Sequence, residues 1–97
     1  MSITAILEVQ FRPDVVEEGI EALGRVLVDT RAFAGNESVV VIQDRTDPTR
    51  VAAVEVWESL EADAAYREWR AGDGQPKELA PLLAGAPRLT VGEHLSI

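Results

Sequence analysis

The chain has 97 residues, 46% apolar and 27% charged, with 9 basic side chains against 17 acidic ones and a net charge of −8. That length makes one domain, residues 1–97, of soluble globular composition and limited stability as a monomer. The acidic balance excludes a phosphate-binding face for nucleic acid and a partner for an anionic membrane, and the lack of cysteine excludes disulfides, thiol catalysis and thiolate metal sites.

The opening MSITAILEVQ has no basic region and no long apolar run, so it reads as a first strand and not as a signal peptide. No apolar stretch is long enough to span a membrane, and a cytoplasmic location is expected. Over residues 3–11, Ile3, Ala5, Leu7, Val9 and Phe11 share one face, while Thr4, Glu8 and Gln10 share the other with Ile6. Pro13 and Asp14 then open an amphipathic helix, with Asp14 the expected N-cap and Glu17 and Glu18 in the first turn. Its core stripe is Val16, Ile20, Leu23, Leu27 and Thr30, flanked by Val26 and Phe33, and Gly35 with Asn36 ends it.

Residues 37–43 form a second strand and residues 51–57 a third, joined by a polar connection with Asp47-Pro48 as its turn. Ser59 is the N-cap of a second helix that runs to Ala71 and stops at Gly72. A loop follows, then a short helical turn around Pro81. RLTVGEHLSI, residues 88–97, alternates as a last strand with Leu89, Val91, Leu95 and Ile97 on one side and His94 on the polar side. The lone histidine has no ligand spacing around it, so no metal is expected, and it reads as a surface or interface residue.

The order strand, helix, strand, strand, helix, strand predicts an α+β, ferredoxin-like four-stranded antiparallel sheet with both helices on one face. The second and third strands are apolar on both faces, however, and two helices cover only one. The uncovered face predicts a homodimer, sheet against sheet, in a dimeric α/β barrel burying roughly 1,200 Å² or more.

The stretch VAAVEVWESLEADAAYREWR, residues 51–70, carries the candidate chemistry. Val51, Ala53, Glu55 and Trp57 share one face of the third strand, and Ala62, Ala65, Tyr66 and Trp69 lie along one stripe of the helix. Small residues at one end and aromatics at the other describe a gap between helix and sheet, walled by rings and tipped by Glu55, the Trp57 N–H and the Tyr66 hydroxyl. A carboxylate on a central strand needs a partner. Glu55 is therefore either a pocket acid or base, or half of a structural salt bridge to Arg67 or Arg70. The aromatics have core packing as their plain alternative. Arg31 and Arg88 are further cations that nothing marks out.

The run GNESVVVIQDRTDPTRVAAVEVWES, followed by an alanine-rich helix, resembles the antibiotic biosynthesis monooxygenase domain of the dimeric α/β-barrel group. The resemblance lies in the Asp47-Pro48 turn and in Glu55, Trp57 and Ser59 as Glu-x-Trp-x-Ser. It implies a homodimer with a cavity between helices and sheet. Members include small oxygenases acting on quinols or anthrone-like polyketides without metal or flavin, haem-degrading proteins, and many of no known activity. A helix histidine common in the family, eleven residues after the motif glutamate, is Tyr66 here. The haem-degrading members carry an asparagine on the first strand and a helix histidine, and this chain has neither.

The expected function is thus a cofactor-independent monooxygenase-like protein acting on a hydroxylated aromatic, quinol or anthrone. Glu55 would be the base, Tyr66, the Trp57 N–H and Arg67 oxyanion donors, Trp57 and Trp69 the stacking rings, and Ala53 and Ala62 part of the substrate wall. The alternatives are a non-catalytic dimeric module that binds a small aromatic ligand, and a cyclase or isomerase on the same barrel.

Overall fold

The computed structural model describes residues 2–97. The chain order is β1 (Ile3–Gln10), α1 (Val16–Ala32), β2 (Asn36–Gln43), β3 (Arg50–Trp57), α2 (Leu60–Ala71) and β4 (Arg88–Glu93). The strands pair antiparallel in the order β2-β3-β1-β4, the ferredoxin-like arrangement that the element order predicts. No helix is long and apolar enough to cross a membrane.

The register fixes what lies under the helices. Ala5 faces Glu55, Leu7 faces Ala53 and Val9 faces Val51 across β1 and β3, while Val39 flanks Glu55 from β2. This helix-side face divides into two clusters. One joins Val9, Phe11, Val39, Val51 and Ala53 to Ala22, Leu23 and Leu27 of α1, with Leu79 and Leu82 closing its end. The other joins Ile3, Ala5 and Trp57 to Tyr66 of α2, with Phe33, Ala62 and Trp69 around them. Glu55 stands between Ala53 and Trp57 on the same face, at the seam of the two clusters.

Three local expectations are corrected. Asp14 is not the cap of α1: Pro13–Val15 forms a 3-10 turn, and the residue before the helix is Val15, with no side-chain cap. Ile20 is 39% exposed and lies outside the buried stripe, which runs through Gly19, Ala22, Leu23, Leu27 and Thr30. The last strand ends at Glu93, and Leu95 and Ile97 beyond it are exposed. Ser59 does cap α2, its hydroxyl accepting from the Ala62 amide at 3.1 Å, and Gly72 follows the last turn. Pro81 sits in a 3-10 turn, Ala80–Leu82.

Two tight segments set the frame around the seam. Between α1 and β2, Gly35 adopts φ +90°, its carbonyl accepts from the Glu58 amide at 2.8 Å, and a side chain there would strike the Ala62 methyl. Between β2 and β3, the Thr46 amide and hydroxyl hold the Asp44 carboxyl below the ordinary aspartate range. The Thr49 hydroxyl and amide do the same for Asp47.

Two glycines of α1 give opposite predictions. At Gly24 an added methyl meets nothing, so Gly24→Ala should raise stability by about 1 kcal/mol through helix propensity. At Gly19 the methyl would enter the buried Phe11 ring, and overpacking of about 1–3 kcal/mol should outweigh the same gain. Urea unfolding of the two variants at one protomer concentration checks the pair.

Candidate active site

The seam holds a compact cluster of charge. Glu55 is 1% exposed. Its Oε1 accepts from Arg67 Nη2 at 2.6 Å and from the Trp57 indole Nε1 at 3.1 Å. Its Oε2 is equally buried and has no hydrogen-bond partner among the described residues. Of the two arginines named from the sequence, Arg67 is the one that reaches Glu55. Asp63, buried one helical turn earlier, accepts from Arg67 Nε at 3.2 Å and from Nη2 at 3.0 Å. Two carboxylates therefore share one guanidinium whose side chain is 24% exposed.

Arg70 serves Tyr66 instead. Its Nε donates to the Tyr66 hydroxyl at 2.7 Å, Nη2 to the Val26 carbonyl at 2.7 Å and to the Thr30 hydroxyl at 3.1 Å, and Nη1 to the Gly74 carbonyl at 2.9 Å. Tyr66 and Thr30 share a further bond of 2.6 Å. Arg70 thus ties α1, α2 and the following loop together through a buried tyrosine hydroxyl.

Rings occupy the space between α2 and the sheet. The Trp57 and Tyr66 centroids lie 4.8 Å apart, and Phe33 approaches Tyr66 at 5.3 Å and Trp69 at 5.5 Å. Trp57 is wholly buried, while Trp69 lies at the rim with the Arg70 guanidinium 4.6 Å from its ring centre. Ala62 packs with these rings, whereas Ala53 belongs to the α1 cluster.

Two surface concavities are lined by neither Glu55 nor Arg67. One of about 490 Å³, at the far end of the sheet, is lined by residues that include Gln10, Arg50 and Arg88. Another, of about 470 Å³, lies between α1 and the loop after α2 and is walled in part by Trp69 and Arg70. Among the described residues no three metal-ligating side chains gather.

The sequence reading named Glu55, Trp57, Tyr66, Arg67, Trp69 and Ala62, and the fold brings these into one neighbourhood. It missed Asp63 and the role of Thr30. Asp63 had a local signal, since a carboxylate four residues before an arginine on a helix faces it. Thr30 was placed on the core stripe of α1, where it is buried, but nothing along the chain pointed to its bond with Tyr66, 36 residues away.

A family model described as antibiotic biosynthesis monooxygenase matches residues 2–75. The chain belongs to that family. The family's fold is shared with SnoaB, a cofactor-independent oxygenase from Streptomyces nogalater, at a TM-score of 0.83 and 11% identity, over 99% of this chain and 95% of that one, in a single-site variant. It is shared with Rv0793 from Mycobacterium tuberculosis at a TM-score of 0.80 and 20% identity, over 100% and 98% of the two chains. A conserved protein from Methanosarcina mazei Go1 has a TM-score of 0.78 and 16% identity, over 94% and 90%. At these identities the likeness shows the fold. No curated protein matches this antibiotic biosynthesis monooxygenase family member in sequence.

Proposed function

We propose that this family member is a cofactor-independent, monooxygenase-like enzyme acting on a hydroxylated aromatic, a quinol or an anthrone-type ring. The observation that carries the reading is the Glu55 carboxylate, sealed under α2 with Oε1 held and Oε2 free among the described residues. Family membership supports it.

Dioxygen has a triplet ground state and reacts slowly with closed-shell molecules. An electron-rich anion removes that obstacle by giving up the first electron itself. In this reading Glu55 Oε2 takes a proton from the substrate O–H, or from an acidic C–H, and the electron pair stays on the ring. One electron passes to dioxygen, the substrate radical and superoxide combine to form the C–O bond, and the peroxide so formed takes back the proton held on Glu55. At a methylene carbon the hydroperoxide then loses water, leaving a ketone. One oxygen atom enters the product and the other departs as water with the two methylene hydrogens. Arg67, Tyr66 and the Trp57 N–H are the proposed donors to the developing anion. Trp57 and Trp69 are the proposed stacking surfaces, and Ala53 and Ala62 the proposed small-residue wall. Admission of a substrate requires the rings of Phe33, Tyr66 and Trp69 to part.

Oxygen uptake by the purified, metal-free protein across quinols and anthrones tests this, with Trp57→Phe as a control. Glu55→Gln is expected to lower kcat by about 10²–10⁴-fold while leaving ligand-induced thermal stabilisation in place. Unchanged turnover in that variant removes Glu55 from the mechanism.

The close packing of the rings and the pairing of Glu55 with Arg67 favour a second reading, a dimeric module that binds a small aromatic compound without turnover. Its outcome in the same experiment is a raised Tm with no oxygen consumed. Product without oxygen uptake would point to a cyclase or isomerase. All these readings take a homodimer through the open sheet face and a cytoplasmic setting.

A further inference from the structure

A carboxylate oxygen left bare beside a guanidinium needs a reason. The arginine fork offers two parallel N–H bonds and frequently takes both oxygens of a carboxylate. At Glu55 it takes one, through Nη2 to Oε1, while Oε2 stays buried without a partner among the described residues. The Nε–Nη2 edge of the same fork is turned onto Asp63, at 3.2 and 3.0 Å to a single oxygen, Oδ1. Asp63 is itself buried, and it lies in the first turn of α2, where the helix N-terminus favours negative charge. The guanidinium is thereby held edge-on to Asp63, and in that orientation Nη2 alone reaches Glu55, while Nη1 makes no bond to Oε2.

We propose that Asp63 is a positioning residue that keeps Arg67 from closing bidentately on Glu55, so that Oε2 remains open to accept the hydroxyl of a bound ligand. This deepens the reading of Glu55 as the active-site carboxylate and rests on it for its catalytic consequence. It also narrows the ligand class. Two carboxylates already share one guanidinium, so the site suits a neutral hydroxylated ring and repels one that carries a carboxylate.

Few other charges bear on the cluster. The strand neighbours of Glu55 are Ala5 and Val39, which carry none. From α1, Arg31 donates to the Val39 carbonyl, and from α2, Arg70 donates to the Tyr66 hydroxyl.

The Trp57 indole gives a readout that needs no turnover, because its N–H donates to Glu55 Oε1. Its ¹⁵N–¹H cross-peak at neutral pH reports how Oε1 is held. In Asp63→Ala the freed fork closes on both oxygens, and the indole cross-peak should move. Asp63→Asn keeps the accepting oxygen, so it should show a smaller shift in the same direction. Oxygen uptake should fall in the same order, with Asp63→Asn retaining more kcat than Asp63→Ala. Indole cross-peaks that coincide in wild type and both variants, or in wild type and Asp63→Asn if Asp63→Ala does not fold, overturn the proposal, and equal shifts in the two variants overturn it as an effect of lost charge alone. A graded cross-peak shift in a protein that consumes no oxygen supports the positioning role and overturns the oxygenase reading alone.

Discussion

Replacing Arg67 with alanine is expected to destabilise the fold by about 3–5 kcal/mol, the range for removing one partner of a buried pair. The cost comes from what stays behind. Glu55 and Asp63 are both almost fully buried, and Arg67 is the only cation that either contacts among the described residues. An exposed ion pair would cost less than about 1 kcal/mol, so the magnitude tests the burial directly. A domain of this size has about 5–15 kcal/mol in all, and the loss is a large share of it.

Sign and recovery make the test specific. Removing the stranded charge should restore stability, so Glu55→Gln in the Arg67→Ala background should recover a substantial part of the loss, although Glu55→Gln alone gains little. Arg67→Lys keeps a charge but not the fork that reaches two carboxylates, and should fall between. Urea unfolding at one fixed protomer concentration checks the series, because any association of copies shifts apparent stability by mass action. An Arg67→Ala loss under 1 kcal/mol would mean that the cluster is open to water.

The fold was legible in the sequence because its elements carried a period, a β-branched run or a cap. Residues 3–11 alternate, 16–30 repeat at helical spacing, and Ser59 stands before an alanine-rich run. What escaped depended on contacts between elements. Asp14 has the chemistry of a cap, but the chain enters α1 through a 3-10 turn that carries it past that position. Ile20 fits the helical stripe on paper, yet Gly19 lets α1 settle against the Phe11 ring and turns Ile20 outward. At the site, Glu55 announced itself as a carboxylate among valines. Its partner could be narrowed only to Arg67 or Arg70, because both lie on α2 and the choice is made in three dimensions. Thr30 showed itself only as a member of the α1 core stripe, since its partners Tyr66 and Arg70 are on another helix. The gap read from the alanines and aromatics is closed by ring packing, which no spacing along the chain reports.

The second large effect concerns the uncovered face of the sheet. Val40 and Ile42 of β2 are 57% and 56% exposed there, beside half-buried Ile6 of β1 and Ala52, Val54 and Val56 of β3. All point away from the helices, since their cross-strand partners alternate with Ala5, Ala53 and Glu55. A chain with net charge −8 that leaves this face aliphatic has kept charge out of its centre. The rim is polar: Glu8 pairs in register with Arg88, and Thr4 meets His94 at 2.7 Å. An apolar centre with a polar rim is the anatomy of a protein interface, and a second copy of the same face meets it without charge conflict. Val40→Glu with Ile42→Glu would bury four carboxylates between two like sheets. Each costs several kcal/mol unpaired, and their repulsion adds to that. The proposed dimer should weaken by on the order of 10³-fold or more. Sedimentation velocity at micromolar concentration should then show wild type as a dimer and the double variant as a folded monomer. A wild type that sediments as a monomer would remove the homodimer and assign the aliphatic face to a different partner.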